Sequence, residues 1–139
     1  MVFTARDLSG IGQIFDAKTA KRKLSQGTIV FLSGGTGHPY FSTDTASVLR
    51  SLELSCDMMI KLTSVDGIYS ADPKKDTTAV KFPSVTYDDV LAKNLRIMDQ
   101  ASIALARDHD FRIGVCHIDN LPSLSTLSKG IFSGSIIQK

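Results

Sequence analysis

The sequence predicts an α/β fold with a mostly parallel sheet, on three observations. Apolar runs over 28–32, 56–63 and 111–118 have the length and composition of buried strands. The segment between the first two has helical spacing, giving the strand–helix–strand order of a βαβ unit, with parallel pairing and a right-handed crossover. Both of these runs empty into glycine-rich or long polar segments, and the carboxyl ends of parallel strands are where open α/β sheets bind ligands.

Taken in order, Val2–Ala5 reads as a short strand remnant and Asp7–Gly12 as a loop. With no polar lead-in and no complete first strand, residues 1–16 do not read as a domain start. Ala17–Gln26 is a basic amphipathic helix carrying Lys18, Lys21, Arg22 and Lys23, stopped by Gly27. Its basic cluster reads as a solvated face. The strand at 28–32 comes next and leads into Gly34-Gly35-Thr36-Gly37-His38-Pro39-Tyr40-Phe41-Ser42-Thr43-Asp44. Glycines there permit close approach of the main chain, and the N-terminus of the next helix adds partial positive charge, so the turn suits an anion; a tight, capped strand–helix turn with no ligand fits the same residues. Ser42, Thr43 or Asp44 can cap that helix, whose apolar face is Val48, Leu49 and Leu52. The turn lacks the lysine of a P-loop, and the dinucleotide glycine spacing fails at Tyr40.

The run 56–63 is a second buried strand. It opens into the polar loop Ser64–Asp76, where Asp66-Gly67 marks a turn and Asp72-Pro73 forces the chain out of helix. The aspartate spacing fails the calcium-loop pattern. Thr86 caps a short helix reaching Asn94, with acidic residues in its first turn. Met98-Asp99-Gln100 leads into a helix over 101–108. Phe111–Ile118 is a third buried strand, Asn120–Lys129 a helix with Pro122 in its first turn, and Gly134–Gln138 a last short strand.

Composition bounds the function. At 139 residues the chain is one domain or part of one, and 42% hydrophobic with 22% charged residues is ordinary for a globular protein. A net charge of +2 with both signs interspersed gives no case for a nucleic-acid partner. Cys56 and Cys116 lie far apart in apolar runs, which predicts buried thiols in a reducing compartment. His38, His109 and His117 are scattered and no zinc spacing occurs, so no metal site is expected. With no signal peptide and no apolar stretch of membrane length, the expected location is the cytoplasm, with no membrane partner.

Three segments go beyond a generic α/β protein: Gly34–Asp44, then Lys61-Leu62-Thr63-Ser64-Val65-Asp66-Gly67-Ile68-Tyr69-Ser70-Ala71-Asp72-Pro73, then Ile97-Met98-Asp99. Their order and spacing resemble the bacterial uridylate (UMP) kinases, members of the amino-acid kinase fold; the closing Gly134-Ser135-Ile136-Ile137 resembles that family's terminal strand. The resemblance implies a three-layer αβα sandwich with a mostly parallel sheet, present here as a partial domain. It runs from about Ala5 to the end, making residues 1–139 a single nucleotide-binding domain that matches the carboxyl-terminal half of the family.

For function, the resemblance implies transfer of the γ-phosphoryl of ATP to UMP, giving UDP, with Mg2+ accompanying ATP. Thr36, Gly37, His38, Pro39, Tyr40, Phe41, Ser42 and Thr43 would hold UMP. Thr63, Tyr69 and Asp72 match positions that contact ATP, with Tyr69 near the base and Asp72 near the adenosine end. Asp99 resembles the carboxylate that orders phosphate-binding lysines, although by itself it reads as a helix cap. His38 stands where the family carries an asparagine. The partners implied are ATP, UMP and further copies of the chain, since the family assembles as hexamers.

The family's first strand with its lysine and Ser-Gly-Glu loop, and its second glycine-rich loop with the arginine and aspartate beyond it, have no counterpart in this sequence. Few lysines or arginines stand out near the phosphates; Lys61 reads as a snorkelling or paired side chain. The expectation is a chain with weak or no activity alone and with exposed apolar surface or self-association. The alternative is a non-catalytic nucleotide-binding module. A carboxylate or carbamate kinase of the same fold is disfavoured by the Gly-Thr-Gly-x-Pro-x-Phe stretch.

Overall fold

The computed structural model describes residues 1–95, 97–120, 125–126 and 129–139. They pack as two compact units, Met1–Cys56 and Asp57–Lys139. Among the described residues four of the six strand pairings are parallel, so the α/β class read from the sequence is found.

In the amino-terminal unit, β1 (Val2–Thr4) lies between β2 (Gln13–Ile14) and β3 (Phe31–Ser33), parallel to both. Helix α1 (Ala17–Ser25) begins at Asp16, whose carboxylate accepts from the Thr19 amide at 2.8 Å; hydrogen bonding by the Thr19 side chain, then by this amide, holds it below the usual carboxylate range. Arg22 and Lys23 sit in its last turn, where cations complement the helix dipole, and Gly27 at φ +76° ends it as expected. Helix α2 (Thr43–Glu53) comes after the glycine-rich turn. Phe3, Thr4, Ala20, Ala46 and Val48 form the unit's core, with Phe15 edge-on to Phe3 at 6.1 Å between centroids.

Two expectations fail here. The strand at 28–32 was expected to be buried, but β3 is an exposed edge strand: Ile29 is 74% exposed and Phe31 62%. The register pairs Val2 with Phe31 and Thr4 with Ile14, so exposed Val2, Ile14 and Phe31 share one face. Thr4, on the same face, is buried, and exposed apolar side chains also stand elsewhere, Ile11, Ile29 and Phe41 among them. Among the described residues the predicted pairing across the strand–helix–strand unit is not found: β3 pairs with β1, and the next strand, β4 (Met59–Thr63), pairs with β8 (Ile113–His117). Periodicity identifies strands but not partners, and non-local pairing decided both points.

In the carboxyl-terminal unit the sheet order is β4-β8-β9-β7, with β9 (Ser135–Gln138) antiparallel to β8 and parallel to β7 (Ser84–Thr86). A two-stranded hairpin, β5 (Ile68–Tyr69) with β6 (Lys81–Phe82), lies within and just beyond the polar stretch read as loop. Strands this short, with Pro73 between them, leave no periodic signal. Helix α3 (Tyr87–Ala92) is capped by Thr86 and α4 (Gln100–Asp108) by Asp99. Strand β8 is buried along Ile113–Cys116 and packs with Ile103, Ala106 and Ile137 in the core. The predicted helix over 120–129 falls largely outside the described residues.

Of the two thiols, Cys116 is buried as expected but Cys56 is exposed. The apolar run starts as a strand only at Met59; residues 55–56 form the exit from α2, with Ser55 at φ +57° and the Cys56 amide bonded to the Ser51 carbonyl. Among the described residues no helix is long and apolar enough to cross a membrane.

The hydroxyl of buried Tyr87 donates to the Phe111 carbonyl, tying α3 to the start of β8. Burial, then the nearby Asp110 charge, pushes its pKa up to about 12 from 10.0. Between those values the folded chain keeps a proton that the unfolded chain releases, so this tyrosine's contribution to stability is full below pH 10 and is lost as pH rises toward 12. Tyr87→Phe should lower stability by about 1 kcal/mol in denaturant titrations at neutral pH and flatten the alkaline decline. On the exposed sheet face, Phe31→Lys should reduce self-association in light scattering while leaving Tm nearly unchanged.

Candidate functional site

The glycine-rich turn takes its shape from local chemistry. Gly34, Gly35 and Gly37 all have φ between +64° and +83°, a region costly for other residues. A Cβ on Gly37 would stand 3.1 Å from the Ala5 carbonyl oxygen and 3.3 Å from the Ala5 Cβ, so the turn rests closely on the end of β1, and the φ of +79° there strains any other residue. The Gly37 amide donates to the Gly34 carbonyl at 3.2 Å, and the His38 amide to the Thr36 hydroxyl at 3.1 Å. Ser42 is the cap that the sequence offered among three candidates: its Oγ accepts from the Asp44 and Thr45 amides at 3.0 and 3.2 Å.

These bonds refine the expected anion cradle. The amides of Gly37 and His38 already serve the turn, while those of Gly35 and Thr36 have no partner among the described residues. Thr36 and Gly37 are half-buried; His38, Pro39, Tyr40, Phe41, Ser42 and Thr43 are exposed. Tyr40 is fully exposed yet sits at φ +69°, an unfavourable conformation for a tyrosine. All eight residues assigned to this site therefore lie on one continuous surface segment.

Two arginines escaped sequence reasoning. Arg6 donates from Nε and Nη2 to the Gly37 carbonyl at 2.8 and 2.5 Å. Arg50 reaches the Thr36 carbonyl at 3.5 Å while pairing with Glu53 at 2.7 Å and stacking 4.1 Å over Phe15. Neither belongs to the motif, and no sequence signal places them at the turn.

In the other unit a cleft of about 620 Å³ opens at the carboxyl end of β4. That is within the usual range for small-molecule sites. Thr63, Tyr69 and Asp72 all line it, so the structure brings the three predicted ATP contacts together. Lys61, Lys74, Lys75 and Lys93 line it as well, with Asp72 the one carboxylate among its described lining residues, which makes the cleft electropositive and suited to a polyanion. Lys61 donates to the Ile97 carbonyl at 2.9 Å, and Lys74 to the Ser64 hydroxyl at 3.2 Å. Lys93 pairs with Asp89 at 2.8 Å, and Lys75 lies 3.9 Å from Asp72. The sequence singled out Lys61 alone of these four. Scattered along the sequence, they converge only through the fold.

Asp66 braces the cleft wall. One carboxylate oxygen accepts from the Tyr69 hydroxyl at 2.6 Å and the other from Lys81 Nζ at 2.7 Å. Lys81 lies directly opposite Tyr69 across the β5–β6 pair, so the carboxylate clasps both strands. The Lys81 and then the Tyr69 hydrogen bonds hold the Asp66 carboxyl below its usual range, and the bond to Asp66 raises the Tyr69 phenol above its own. Gly67 is buried beside it, where the Ser135 hydroxyl and Lys81 leave no room for a Cβ. Asp72 takes part in a local turn, accepting from the Lys74 amide at 3.0 Å. Asp99 accepts from the Ser102 amide at 2.9 Å as the α4 cap and does not line the cleft.

Comparison with known proteins gives a consistent result. The sequence profile described as the amino acid kinase family matches residues 3–117. The chain is 43% identical over 137 residues to the uridylate kinase of Marinobacter nauticus, covering 99% of this chain and 57% of that protein. It is 40% identical over 136 residues to the uridylate kinase of Bacteroides thetaiotaomicron, covering 98% and 58% respectively. Among solved structures, UMP kinase from Bacillus anthracis superposes with a TM-score of 0.94 at 30% identity, covering 99% of this chain and 57% of that one. UMP kinase from Ureaplasma parvum gives 0.90 at 25% identity, covering 99% and 59%. The chain thus spans somewhat more than half the length of the relatives it matches.

If Asp66 sets the Tyr69 phenol, Asp66→Ala should return its titration toward the ordinary tyrosine value, read as an alkaline ultraviolet difference spectrum against a Tyr69→Phe reference.

Proposed function

The chain belongs to the amino acid kinase family, and on that footing we propose that it is the nucleotide-binding portion of a uridylate kinase, which transfers the γ-phosphoryl of ATP to UMP. The observation that carries this reading is the electropositive cleft in which Thr63, Tyr69 and Asp72 converge with four lysines. In this reading ATP occupies the cleft, with its base against the Tyr69 ring and its adenosine end near Asp72. UMP lies at the turn formed by Thr36, Gly37, His38, Pro39, Tyr40, Phe41, Ser42 and Thr43.

Phosphoryl transfer demands positioning and neutralisation of spreading negative charge, with little covalent work for the protein. The lysines of the cleft supply charge to the ATP phosphates, and the hydroxyls of Thr36, Ser42 and Thr43 orient the acceptor. Asp99 acts from the α4 N-terminus as a positioning carboxylate. Among the described residues no three His, Cys, Asp or Glu side chains converge, so they make no metal centre of their own. Magnesium comes with ATP and neutralises its phosphate charge. Assembly with further copies of the chain, a cytoplasmic location and weak activity of this chain alone belong to the same proposal.

Titration calorimetry should detect ATP binding, weakened about tenfold or more by Tyr69→Ala, a loss of roughly one stacking contact, with UMP binding unchanged. Formation of labelled UDP from labelled UMP tests the transfer itself. UDP formation that fails while both nucleotides bind would leave a nucleotide-binding module; failure of ATP to bind the cleft would end the kinase reading.

A further inference from the structure

The glycine-rich turn is held by a residue outside its motif. Ala5 and Arg6 come directly after β1. The Ala5 amide continues the ladder to Ser33 at 2.9 Å, and the Ala5 side chain and carbonyl lie against Gly34 and Gly37. Arg6 then closes onto the turn from the other end of a 31-residue separation, placing two donors on one acceptor, the Gly37 carbonyl. Such a two-pronged, charge-assisted contact restrains the orientation of a peptide plane, which a single flexible donor does less well. The peptide so held is the one that joins Gly37 to His38.

The charge of Arg6 is also uncompensated. Arg50, Lys75, Lys81, Lys93 and Arg107 each have a carboxylate within 4 Å, whereas Arg6 has none among the described residues. Its side chain is exposed, and two of its three nitrogens are committed to the turn. The third, Nη1, and the net positive charge therefore stand beside the segment assigned to the acceptor.

We infer that Arg6 is a positioning residue for that acceptor site, holding the turn at Gly37 and lending it the positive charge that favours a phosphate monoester over its uncharged nucleoside. The inference rests on the acceptor reading of the turn. It also supplies, from outside the motif, a cation that the glycine-rich stretch does not carry.

The test uses the full chain and three proteins: wild type, Arg6→Ala and Arg6→Lys. Each is titrated with UMP, with uridine and with ATP, and each is melted thermally. Removing one charge-assisted contact should weaken UMP binding about tenfold in Arg6→Ala, while uridine and ATP affinities stay within about twofold. Arg6→Lys should recover part of the UMP preference, because it keeps the charge without the two-pronged contact. The salt dependence of UMP binding should be shallower in Arg6→Ala than in wild type. Unchanged UMP binding in Arg6→Ala overturns the inference, and so do equal losses for UMP and uridine, which would make Arg6 only a structural tie. A wild-type chain that binds ATP but neither UMP nor uridine refutes the acceptor reading itself, and the role of Arg6 falls with it.

Discussion

A parallel strand pair forces both chains to leave the sheet in the same direction, so the segments beyond the two strands are gathered at one edge of the ladder. Much of the functional reading depends on that constraint. The parallel β1–β3 ladder ends at Thr4 and Ser33, and the next residues on its two strands are Ala5-Arg6 and the glycine-rich turn. Their proximity is therefore a product of strand direction: an arginine at position 6 meets a carbonyl at position 37 because both leave the same end. In the other unit the parallel β4–β8 pair delivers Thr63, and the segment after it, to the mouth of the cleft.

Beyond the strand ends, different chemistry stabilises the chain in the two units. The turn is kept by small residues and backbone bonds, with glycines at positive φ resting on Ala5 and a serine hydroxyl capping α2. The cleft wall is kept by charge, with Asp66 shared between Tyr69 and Lys81 across a hairpin of two residues per strand. So short a hairpin has few ladder bonds of its own. The Asp66 clasp and the Ser135 hydroxyl, which accepts from the Ile68 amide at 2.8 Å and donates to the Phe82 carbonyl, supply much of the remaining connection. The polar residues in this stretch thus define a surface as well as line it.

The exposed face of β1–β3 arises from the same dependence on pairing. Val2, Ile14 and Phe31 are of the type that sheets bury, and their common face is settled by register. The chain spans 57% of the length of its Marinobacter relative, and in the structure Val2, Ile14 and Phe31 stand exposed. In the carboxyl-terminal unit, by contrast, β8 is flanked by β4 and β9 and is buried over most of its length.

The amino-acid sequence by itself determined the features that local chemistry controls. Gly27 ended a helix, Thr86 and Asp99 capped the two short helices after it, Ser42 was one of three named candidates for its cap, and the glycine-rich stretch marked the turn, because caps and positive-φ positions depend on neighbours a few residues away. The three motifs carried the family resemblance, which the comparisons upheld. Tertiary structure alone decided the features that depend on distant partners. It paired β3 with β1 instead of β4, left Phe31 exposed and brought out the β5–β6 hairpin. It also gathered Lys61, Lys74, Lys75 and Lys93 around one cleft and placed Arg6 on Gly37. A lone lysine or arginine has no periodicity to betray its partner, and a strand has no local sign of which edge it will meet. Those outcomes belong to long-range packing, where many weak contacts compete and only the assembled chain selects among them.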